Sequence, residues 1–168
     1  MPRFFGEKLR HLRLQYSLSQ SDMAQRLAIK RAHANNIEAG RRLPSLAFVL
    51  RAANLFRITT DYLVRDTIAV EEAASHQYEK ATVTHETFDL FGAKLRSLRL
   101  IRGLTQTEVA QQLGLASHSH ISFLEMERKE PSIDLVVQIA DVFGVTTDYL
   151  LRDSIPVGKE DQRDGCDG

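Results

Sequence analysis

The sequence predicts an all-α protein made of two similar domains in tandem. The first observation is an internal repeat, because residues 5–14, FGEKLRHLRL, return as residues 91–100, FGAKLRSLRL. The second is that apolar residues recur at helical spacing behind capping residues, while only residues 81–84 show a β-strand period. The third is size, since 168 residues, 43% of them hydrophobic and 26% charged, can build two small cores.

The repeat continues to the end of each copy. Residues 59–66, TTDYLVRD, return as residues 146–153, TTDYLLRD. The offset between the copies is 86 at the first block and 87 at the last, so the second copy contains one additional residue. About half of the aligned positions are identical, which indicates duplication of a unit of about 62 residues. Because a solenoid needs three or more stacked units, two units predict two domains.

The repeat also sets the domain boundaries that we expect. Domain 1 is expected at residues 1–68 and domain 2 at residues 87–155. The acidic residues 69–86 between them are expected to form a linker or a helical spacer, because the segment is long for a loop within a compact domain and its residues 71–74, EEAA, could extend the fifth helix. Residues 156–168 are polar and acidic, and we expect them to be a disordered tail.

Five helices are predicted in each copy, and the first two have clear signals. Phe5, Leu9 and Leu12 follow the i, i+4, i+7 spacing that places them on one face of helix 1. Residues 19–22, SQSD, are a capping signature that precedes the apolar residues of helix 2. The second copy has the stronger version of this signature at residues 105–108, TQTE.

The remaining helices are predicted from their ends. Helix 3 is expected to begin near Lys30 and to stop at Gly40, since glycine suits the left-handed backbone that follows a helix. The fourth helices are expected to be capped by the serines of Pro44-Ser45 and Pro131-Ser132. Threonine is expected to cap the fifth helices, at Thr60 and Thr147.

The net charge of zero conceals a basic first domain. Residues 1–66 contain 12 basic and 5 acidic side chains, a surplus of +7, whereas residues 67–91 contain 1 basic and 5 acidic side chains. A basic stretch within a neutral chain is typical of a localised anion-binding surface. The alternative is that lysine and arginine merely cover the surface of a small domain.

Several classes of protein lack support in the sequence. No apolar run approaches the roughly 20 residues of a membrane span, and the first residues do not resemble a secretory signal. Cys166 is the only cysteine, which excludes an intramolecular disulfide and a multi-cysteine metal site. His118 and His120 have no clear third ligand, and no catalytic constellation stands out. We therefore expect a cytoplasmic protein that is not an enzyme and has no metal or cofactor.

Both copies resemble one family. In the first copy the matching residues are Ser19-Gln20, Ala24, Leu27-Ala28-Ile29 and residues 37–45, IEAGRRLPS. In the second copy they are Thr105-Gln106, Ala110, Leu113-Gly114-Leu115, Ile121-Ser122, Leu124-Glu125 and residues 128–132, RKEPS. This order is similar to the Cro/C1-type (Xre) helix-turn-helix of phage repressors and bacterial regulators. The resemblance implies two tandem five-helix helix-turn-helix domains, joined by the acidic linker, that bind DNA.

A helix-turn-helix places the second of its paired helices in the major groove of DNA. In domain 1 that helix offers Arg31, which can donate two hydrogen bonds to guanine, and Asn36, which can pair with adenine. Ala32 is small enough to contact a thymine methyl group. The resemblance implies a phosphate contact by Gln20, and the arginines after the helix are expected to reach phosphates. The expected DNA contacts of domain 1 are Gln20, Lys30, Arg31, Ala32, His33, Asn35, Asn36, Arg41 and Arg42.

Domain 1 departs from the family at two positions. Ala28 stands where the family usually has a turn glycine, and a left-handed backbone at this alanine costs about 1 kcal/mol. Ala34 replaces the usual isoleucine or valine that anchors helix 3 in the core. Both departures are expected to weaken stability more than DNA recognition.

The corresponding surface of domain 2 is less suited to DNA. Phe123 stands where domain 1 has Asn36, and Glu127 replaces the glycine after the helix. The additional residue falls within residues 116–120, at the start of this helix. The candidate DNA contacts of domain 2 are Gln106, Ser117, His118, Ser119, Ser122, Phe123, Arg128 and Lys129. Domain 2 is therefore expected to be either a second DNA reader or a dimerisation domain.

The function predicted from the sequence is a sequence-specific transcriptional regulator that binds double-stranded DNA. It is expected to work as a homodimer or as an intramolecular pseudo-dimer, in the cytoplasm with the nucleoid and not at a membrane. One alternative is a protein-interaction module, such as an antitoxin or an adaptor, on the same fold. Another is a ligand-sensing regulator, although the sequence shows no dedicated sensor domain.

Overall fold

The computed structural model describes residues 2–78 and 87–158 of the chain. The chain divides into two compact units, residues 1–86 with domain 1 and residues 87–168 with domain 2. Among the described residues, no helix is long and apolar enough to cross a membrane. No group of three or more His, Cys, Asp or Glu side chains in the described ranges could hold a metal ion.

Both domains are helical, as the sequence predicts, and the described residues form no strand beyond one isolated bridge between Ile58 and Gln77. The helices of domain 1 are α1 (Phe5–Gln15), α2 (Gln20–Arg26), α3 (Arg31–Glu38), α4 (Leu46–Phe56), α5 (Thr60–Val64) and a 3-10 helix (Val70–His76). The helices of domain 2 are α6 (Phe91–Ile101), α7 (Gln106–Gln112), α8 (His118–Glu125), α9 (Ile133–Phe143) and α10 (Thr147–Leu151). The prediction of an all-α fold with two five-helix repeats is confirmed.

The predicted capping boxes are present at the second helix of each repeat. The Ser19 hydroxyl accepts a hydrogen bond from the Asp22 amide at 3.1 Å, and the Asp22 carboxylate accepts one from the Ser19 amide at 3.0 Å. The Thr105 amide donates to the Glu108 carboxylate at 2.7 Å, and the Thr105 hydroxyl donates to the same oxygen at 2.7 Å. These bonds satisfy amide groups that have no partner within the helix. They also lower the pKa of both carboxyl groups below the ordinary value.

The caps of the later helices follow the predictions with one correction. Ser45 and Ser132 cap α4 and α9, as expected, and each hydroxyl accepts from a backbone amide at 3.2 Å. The expected caps at Thr60 and Thr147 are wrong by one residue. The capping hydroxyls belong to the preceding threonines, Thr59 and Thr146. Since both positions in each pair are threonine, the sequence gives no basis for choosing between them.

Glycine at the start of the first helix lets that helix approach the end of the third. A Cβ atom on Gly6 would lie 2.5 Å from the Glu38 carbonyl oxygen, and one on Gly92 would lie 2.6 Å from the Leu124 carbonyl oxygen. Side-chain carbon atoms do not approach backbone oxygen this closely without a shift of the backbone. The Phe-Gly pair therefore opens both repeats because the close packing of these helices requires it.

A buried lysine joins the first helix of each domain to the end of the fifth. Lys8 Nζ donates to the Tyr62 carbonyl oxygen at 2.7 Å and to the Arg65 carbonyl oxygen at 2.6 Å. Lys94 Nζ makes the equivalent pair of bonds in domain 2, both at 2.6 Å. Both lysines are fully buried. Burial lowers the pKa of Lys8, against the opposing effect of Asp66 and other nearby acidic groups.

An aspartate at the end of each repeat holds the start of the first helix. The Asp66 carboxylate accepts hydrogen bonds from the backbone amides of Arg3 at 2.9 Å and Phe4 at 3.1 Å. The Asp153 carboxylate accepts from the amides of Asp89 and Leu90, both at 2.9 Å. A carboxylate at a helix N-terminus also interacts favourably with the helix dipole. The last residue of each repeat thus contacts the residues directly before its first helix.

Part of the segment expected to be a linker packs against domain 1. The 3-10 helix buries Ala73, and the Tyr62 hydroxyl donates to the Val70 carbonyl oxygen at 2.5 Å. Burial, with nearby acidic side chains, raises the pKa of Tyr62 to about 12. The Tyr78 amide donates to the Arg57 carbonyl oxygen at 2.8 Å. The rest of the expected linker, residues 79–86, and the last ten residues of the expected tail lie outside the described residues.

Candidate nucleic-acid interface

The turn between α2 and α3 fixes the angle between these helices. Ala28 has a φ of +52°, which confirms the left-handed backbone predicted for this alanine. The Ile29 amide donates to the Ala24 carbonyl oxygen at 2.9 Å and closes the turn. On α3, Ala34 and Ile37 are buried. The opposite face of α3 is consequently turned to solvent.

The solvent face of α3 carries the polar residues selected from the sequence. Lys30, Arg31, Ala32 and Asn35 are exposed. Asn36 is half-buried, as is His33, which lies near the ring of a buried phenylalanine of α4. The helix begins immediately after Lys30, so the cations stand at its N-terminal end. In a helix that enters a major groove, this is the end that meets base edges.

A hydrogen-bond network connects α2 to α3 beneath this surface. Gln20 Nε2 donates to Glu38 Oε2 at 3.0 Å and to Asn35 Oδ1 at 3.4 Å. Arg13 Nε donates to Glu38 Oε1 at 2.6 Å, and the Glu38 side chain is only 5% exposed. The network fixes the amide group of Gln20 at the start of α2. Gln20 remains half-exposed, next to the face of α3.

Two exposed arginines follow α3. Gly40 has a φ of +67°, which turns the chain away from the helix axis. The backbone amides of Arg41 and Arg42 then donate to the Asn36 carbonyl oxygen at 2.8 and 3.2 Å. Both arginine side chains are exposed. Together with Lys30 and Arg31 they give this side of domain 1 a strongly positive character.

Not all of the basic residues counted in domain 1 contribute to that surface. Lys8 is buried, and Arg13 is paired with Glu38. Arg51 donates to the Leu27 carbonyl oxygen at 2.9 Å, and the Arg65 guanidinium is paired with the carboxylate of Asp61. The count of 12 basic side chains in residues 1–66 therefore overstates the number that is available to an exposed surface. The cations that remain exposed near α3 lie at its two ends, Lys30 and Arg31 at the start and Arg41 and Arg42 after the end.

The equivalent surface of domain 2 has a similar framework. Gln106 Nε2 donates to Glu125 Oε2 at 2.9 Å, and Arg99 Nε donates to Glu125 Oε1 at 2.6 Å. The bond to Glu125 raises the pKa of Arg99 above its ordinary value. Ile121 is buried at the position that Ala34 occupies in domain 1. The additional residue therefore lies before α8 and does not change the register of the helix.

The side chains that α8 presents to solvent differ from those of α3. Ser117 caps the helix and accepts from the Ser119 amide at 3.2 Å, while His118 is exposed. Phe123 is 43% exposed and Met126 is 49% exposed. The chain then passes through Glu127, which has a φ of +57°, to the exposed residues Arg128 and Lys129. This surface combines apolar, acidic and basic side chains.

Comparison with known protein families identifies a helix-turn-helix in each domain. A family described as "Helix-turn-helix domain" matches residues 5–65, and a family described as "Helix-turn-helix" matches residues 95–150. Together the two matches cover most of the chain. The chain carries two helix-turn-helix domains of the Cro/C1 (Xre) type.

Curated relatives match about one domain's length of the chain. An uncharacterized HTH-type transcriptional regulator of Bacillus subtilis, YobD, is 34% identical over 62 residues, which are 37% of this chain and 54% of the relative. The cryptic phage CTXphi transcriptional repressor RstR of Vibrio cholerae is 32% identical over 65 residues, 39% of this chain and 58% of the repressor. The chain thus spans about half the length of these relatives. No solved structure matches the chain.

Within the two helix-turn-helix domains, sequence reasoning missed the residues that support the surface. Arg13 and Glu38, with their counterparts Arg99 and Glu125, connect the first helix to the third. The signal was present, since both residues are identical in the two copies. The DNA contacts expected from the sequence in domains 1 and 2 remain predictions.

Proposed function

We propose that this chain is a sequence-specific transcriptional regulator that binds double-stranded DNA through α3 of domain 1. The observation that carries the proposal is the face of α3, where polar and basic side chains are exposed while Ala34 and Ile37 anchor the helix. A helix held in this way can enter the major groove. The relatives named as transcriptional regulators, one of them a phage repressor, support the same function.

The proposed roles follow from side-chain chemistry. Arg31 donates two hydrogen bonds to guanine, and Asn36, with Asn35 beside it, pairs with adenine. Ala32 and His33 complete the surface facing the bases. Phosphate contacts position the domain without reading sequence. The residues proposed for them are Gln20, Lys30, Arg41 and Arg42.

For domain 2 we propose a second DNA reader or a dimerisation domain. Its proposed contacts are Gln106, Ser117, His118, Ser119, Ser122, Phe123, Arg128 and Lys129. In either role the chain presents two reading surfaces to two half-sites, as a homodimer or as an intramolecular pseudo-dimer. The proposed site of action is the nucleoid, in the cytoplasm.

The test is selection of binding sites from random duplex DNA with the full-length protein at physiological salt. One recurring half-site, alone or inverted, supports reading by domain 1 in a homodimer. Two different half-sites at fixed spacing support a pseudo-dimer in which both domains read. No enrichment from a folded, helical protein contradicts the proposal and favours the protein-interaction module.

A further inference from the structure

Each domain has a groove between the segment before its first helix and the loop after its third helix. In domain 2 this groove, the acidic groove, has a volume of about 210 Å³, and its lining includes Asp89, Glu127, Lys129, Glu130 and Pro131. In domain 1 the equivalent groove has a volume of about 140 Å³, and its lining includes Arg3 and Arg42. The charged residues lining the two grooves therefore sum to −2 in domain 2 and +2 in domain 1.

The reversal of charge arises at equivalent positions. Asp89 of domain 2 corresponds to Arg3 of domain 1, Glu127 to Gly40, and Glu130 to Leu43. The first exchange replaces a cation with an anion, and the other two add an anion. A groove with this charge repels the phosphates of DNA. It also repels a second copy of itself.

Apolar side chains accompany the opposite charges on both surfaces. Phe123 near the end of α8 and Met126 at its C-cap are about half exposed, and each directly precedes a residue that lines the acidic groove. In domain 1, Leu43 is 52% exposed and directly follows Arg41 and Arg42. Residues 40–43, GRRL, are called the arginine loop here. Apolar anchors with complementary charges around them are the features that protein interfaces use.

We propose that the arginine loop of one copy docks in the acidic groove of a second copy, so that the chain associates head to tail. The arginines face Asp89, Glu127 and Glu130, and Leu43 contacts the exposed Phe123 and Met126. The groove admits a side chain, because about 210 Å³ is several times the roughly 30 Å³ that one water molecule occupies in the liquid. The contact is heterologous, which produces rings or open chains and not only dimers.

This association has a consequence for DNA binding that rests on the proposed function. The same arginines, Arg41 and Arg42, are proposed to contact phosphates. The acidic groove and the DNA backbone therefore compete for one pair of side chains. Binding to a specific duplex separates the copies, and self-association opposes binding to non-specific DNA.

The experiment measures the mass of the full-length protein by sedimentation, at low and high salt. A groove variant carries Glu127→Gly and Glu130→Gln, and a loop variant carries Arg41→Gln and Arg42→Gln. All four side chains are exposed, and Glu127→Gly gives that left-handed position the residue found in domain 1. A control variant, Arg10→Gln with Arg26→Gln, removes the same charge from exposed positions elsewhere in domain 1.

The native chain is expected to associate at low salt and to dissociate at high salt, because salt screens exposed charges. Each of the two variants is expected to associate about tenfold more weakly or not at all, while the control behaves as the native chain. Mixing the two variants restores one intact loop and one intact groove. The mixture is therefore expected to form a one-to-one dimer and nothing larger.

Three results overturn the proposal: a native chain that stays monomeric, a variant that associates as strongly as the native chain, or a mixture that forms no dimer. A selected DNA duplex is added in a separate arm. Dissociation of the copies supports the competition, and a duplex that binds without separating them contradicts it. The sedimentation results stand even where no duplex is selected, so the two proposals fail independently.

Discussion

Lys8 of domain 1 and Lys94 of domain 2 make the same pair of buried hydrogen bonds, whereas the last turn of the third helix carries Asn36 in one domain and Phe123 in the other. The contrast recurs across the repeat. Identical residues cap the fourth and fifth helices and form the network around the buried glutamate, whereas the buried apolar positions are identical at only about half of the sites. Residues that differ between the copies dominate the exposed face of α3 and α8. Identity at these buried polar contacts therefore marks what holds the fold together, and divergence on the exposed face of the third helix marks what each surface binds.

The buried lysines give the largest expected effect. Lys8→Ala and Lys94→Ala each remove two buried hydrogen bonds to carbonyl oxygens and create a cavity, so each is expected to destabilise its own domain by about 3 kcal/mol. Hydrogen exchange, followed separately for each domain in the full-length protein, measures the effect. The exposed Lys30→Ala is the control and is expected to change stability little. A large difference between the two buried variants contradicts the idea of a shared framework.

The second prediction compares how α3 of domain 1 and α8 of domain 2 contribute to DNA affinity. Arg31→Ala is expected to cost about 1–3 kcal/mol of DNA affinity and to relax specificity at one base, because a bidentate contact is lost. Phe123→Ala is expected to cost less, since a phenyl ring offers no hydrogen bond to a base edge. Binding of each variant to the selected duplex is measured at one salt concentration. Equal losses in the two variants contradict the difference proposed between the domains.

The third prediction concerns left-handed backbone positions. Ser17, Ala28 and Arg57 of domain 1 have positive φ, while domain 2 has glycine at each equivalent position. Ala28→Gly is expected to stabilise domain 1, and Gly114→Ala to destabilise domain 2, by roughly 1 kcal/mol each. No atom lies within 4 Å of a Cβ built on Gly114, so the effect is that of the backbone alone.

Chemical denaturation measures these changes, with Ala47→Gly as a matched control. Ala47 lies within α4, where the same substitution is expected to destabilise, because glycine weakens a helix interior. A loss of stability in Ala28→Gly as large as that in Ala47→Gly contradicts the assigned strain.

The smallest effect is expected from the capping carboxylates. Hydrogen bonds from Ser19 lower the pKa of Asp22, and those from Thr105 lower the pKa of Glu108. A carboxyl group whose folded pKa is lowered stabilises the fold above its ordinary pKa, and this contribution is lost as the pH falls through the folded value. Titration followed by carboxyl carbon resonances is expected to give low pKa values for both groups. In Ser19→Ala the value for Asp22 moves back toward the ordinary range, and an unchanged value contradicts the assignment.

Sequence patterns predicted the helices because their signals are local. The spacing of Phe5, Leu9 and Leu12 and the SQSD cap lie within a few residues of the structure that they specify. The burial of Lys8 was not predicted, since its acceptors, the carbonyl oxygens of Tyr62 and Arg65, lie more than 50 residues away in the chain. A lysine in an amphipathic helix is ordinarily assigned to the surface.

The candidate site shows the same limit. Exposure of Ala32 and Asn35 follows from the helical period, because Ala34 and Ile37 occupy the buried face. Lys30 and Arg31 are exposed because they stand at the N-terminal end of the helix. The bond from Gln20 to Glu38 joins two helices and has no local signal. The sequence indicated helix over residues 71–74, but the packing of the separate 3-10 helix on domain 1 was not predicted, because the burial of Ala73 depends on helices formed earlier in the chain. Which bases each side chain contacts is set by the DNA partner and is not encoded in any spacing.

The bond between Asp66 and the amides of Arg3 and Phe4 brings the first and last residues of the repeat together. A unit whose entrance and exit are adjacent can be inserted into a longer polypeptide with little rearrangement of its neighbours. Asp153 closes domain 2 in the same manner. Duplication of the gene segment could therefore add a second folded unit in one step. Joining the two ends of one repeat by a short peptide and opening it elsewhere would likewise give a circular permutant that keeps its native contacts.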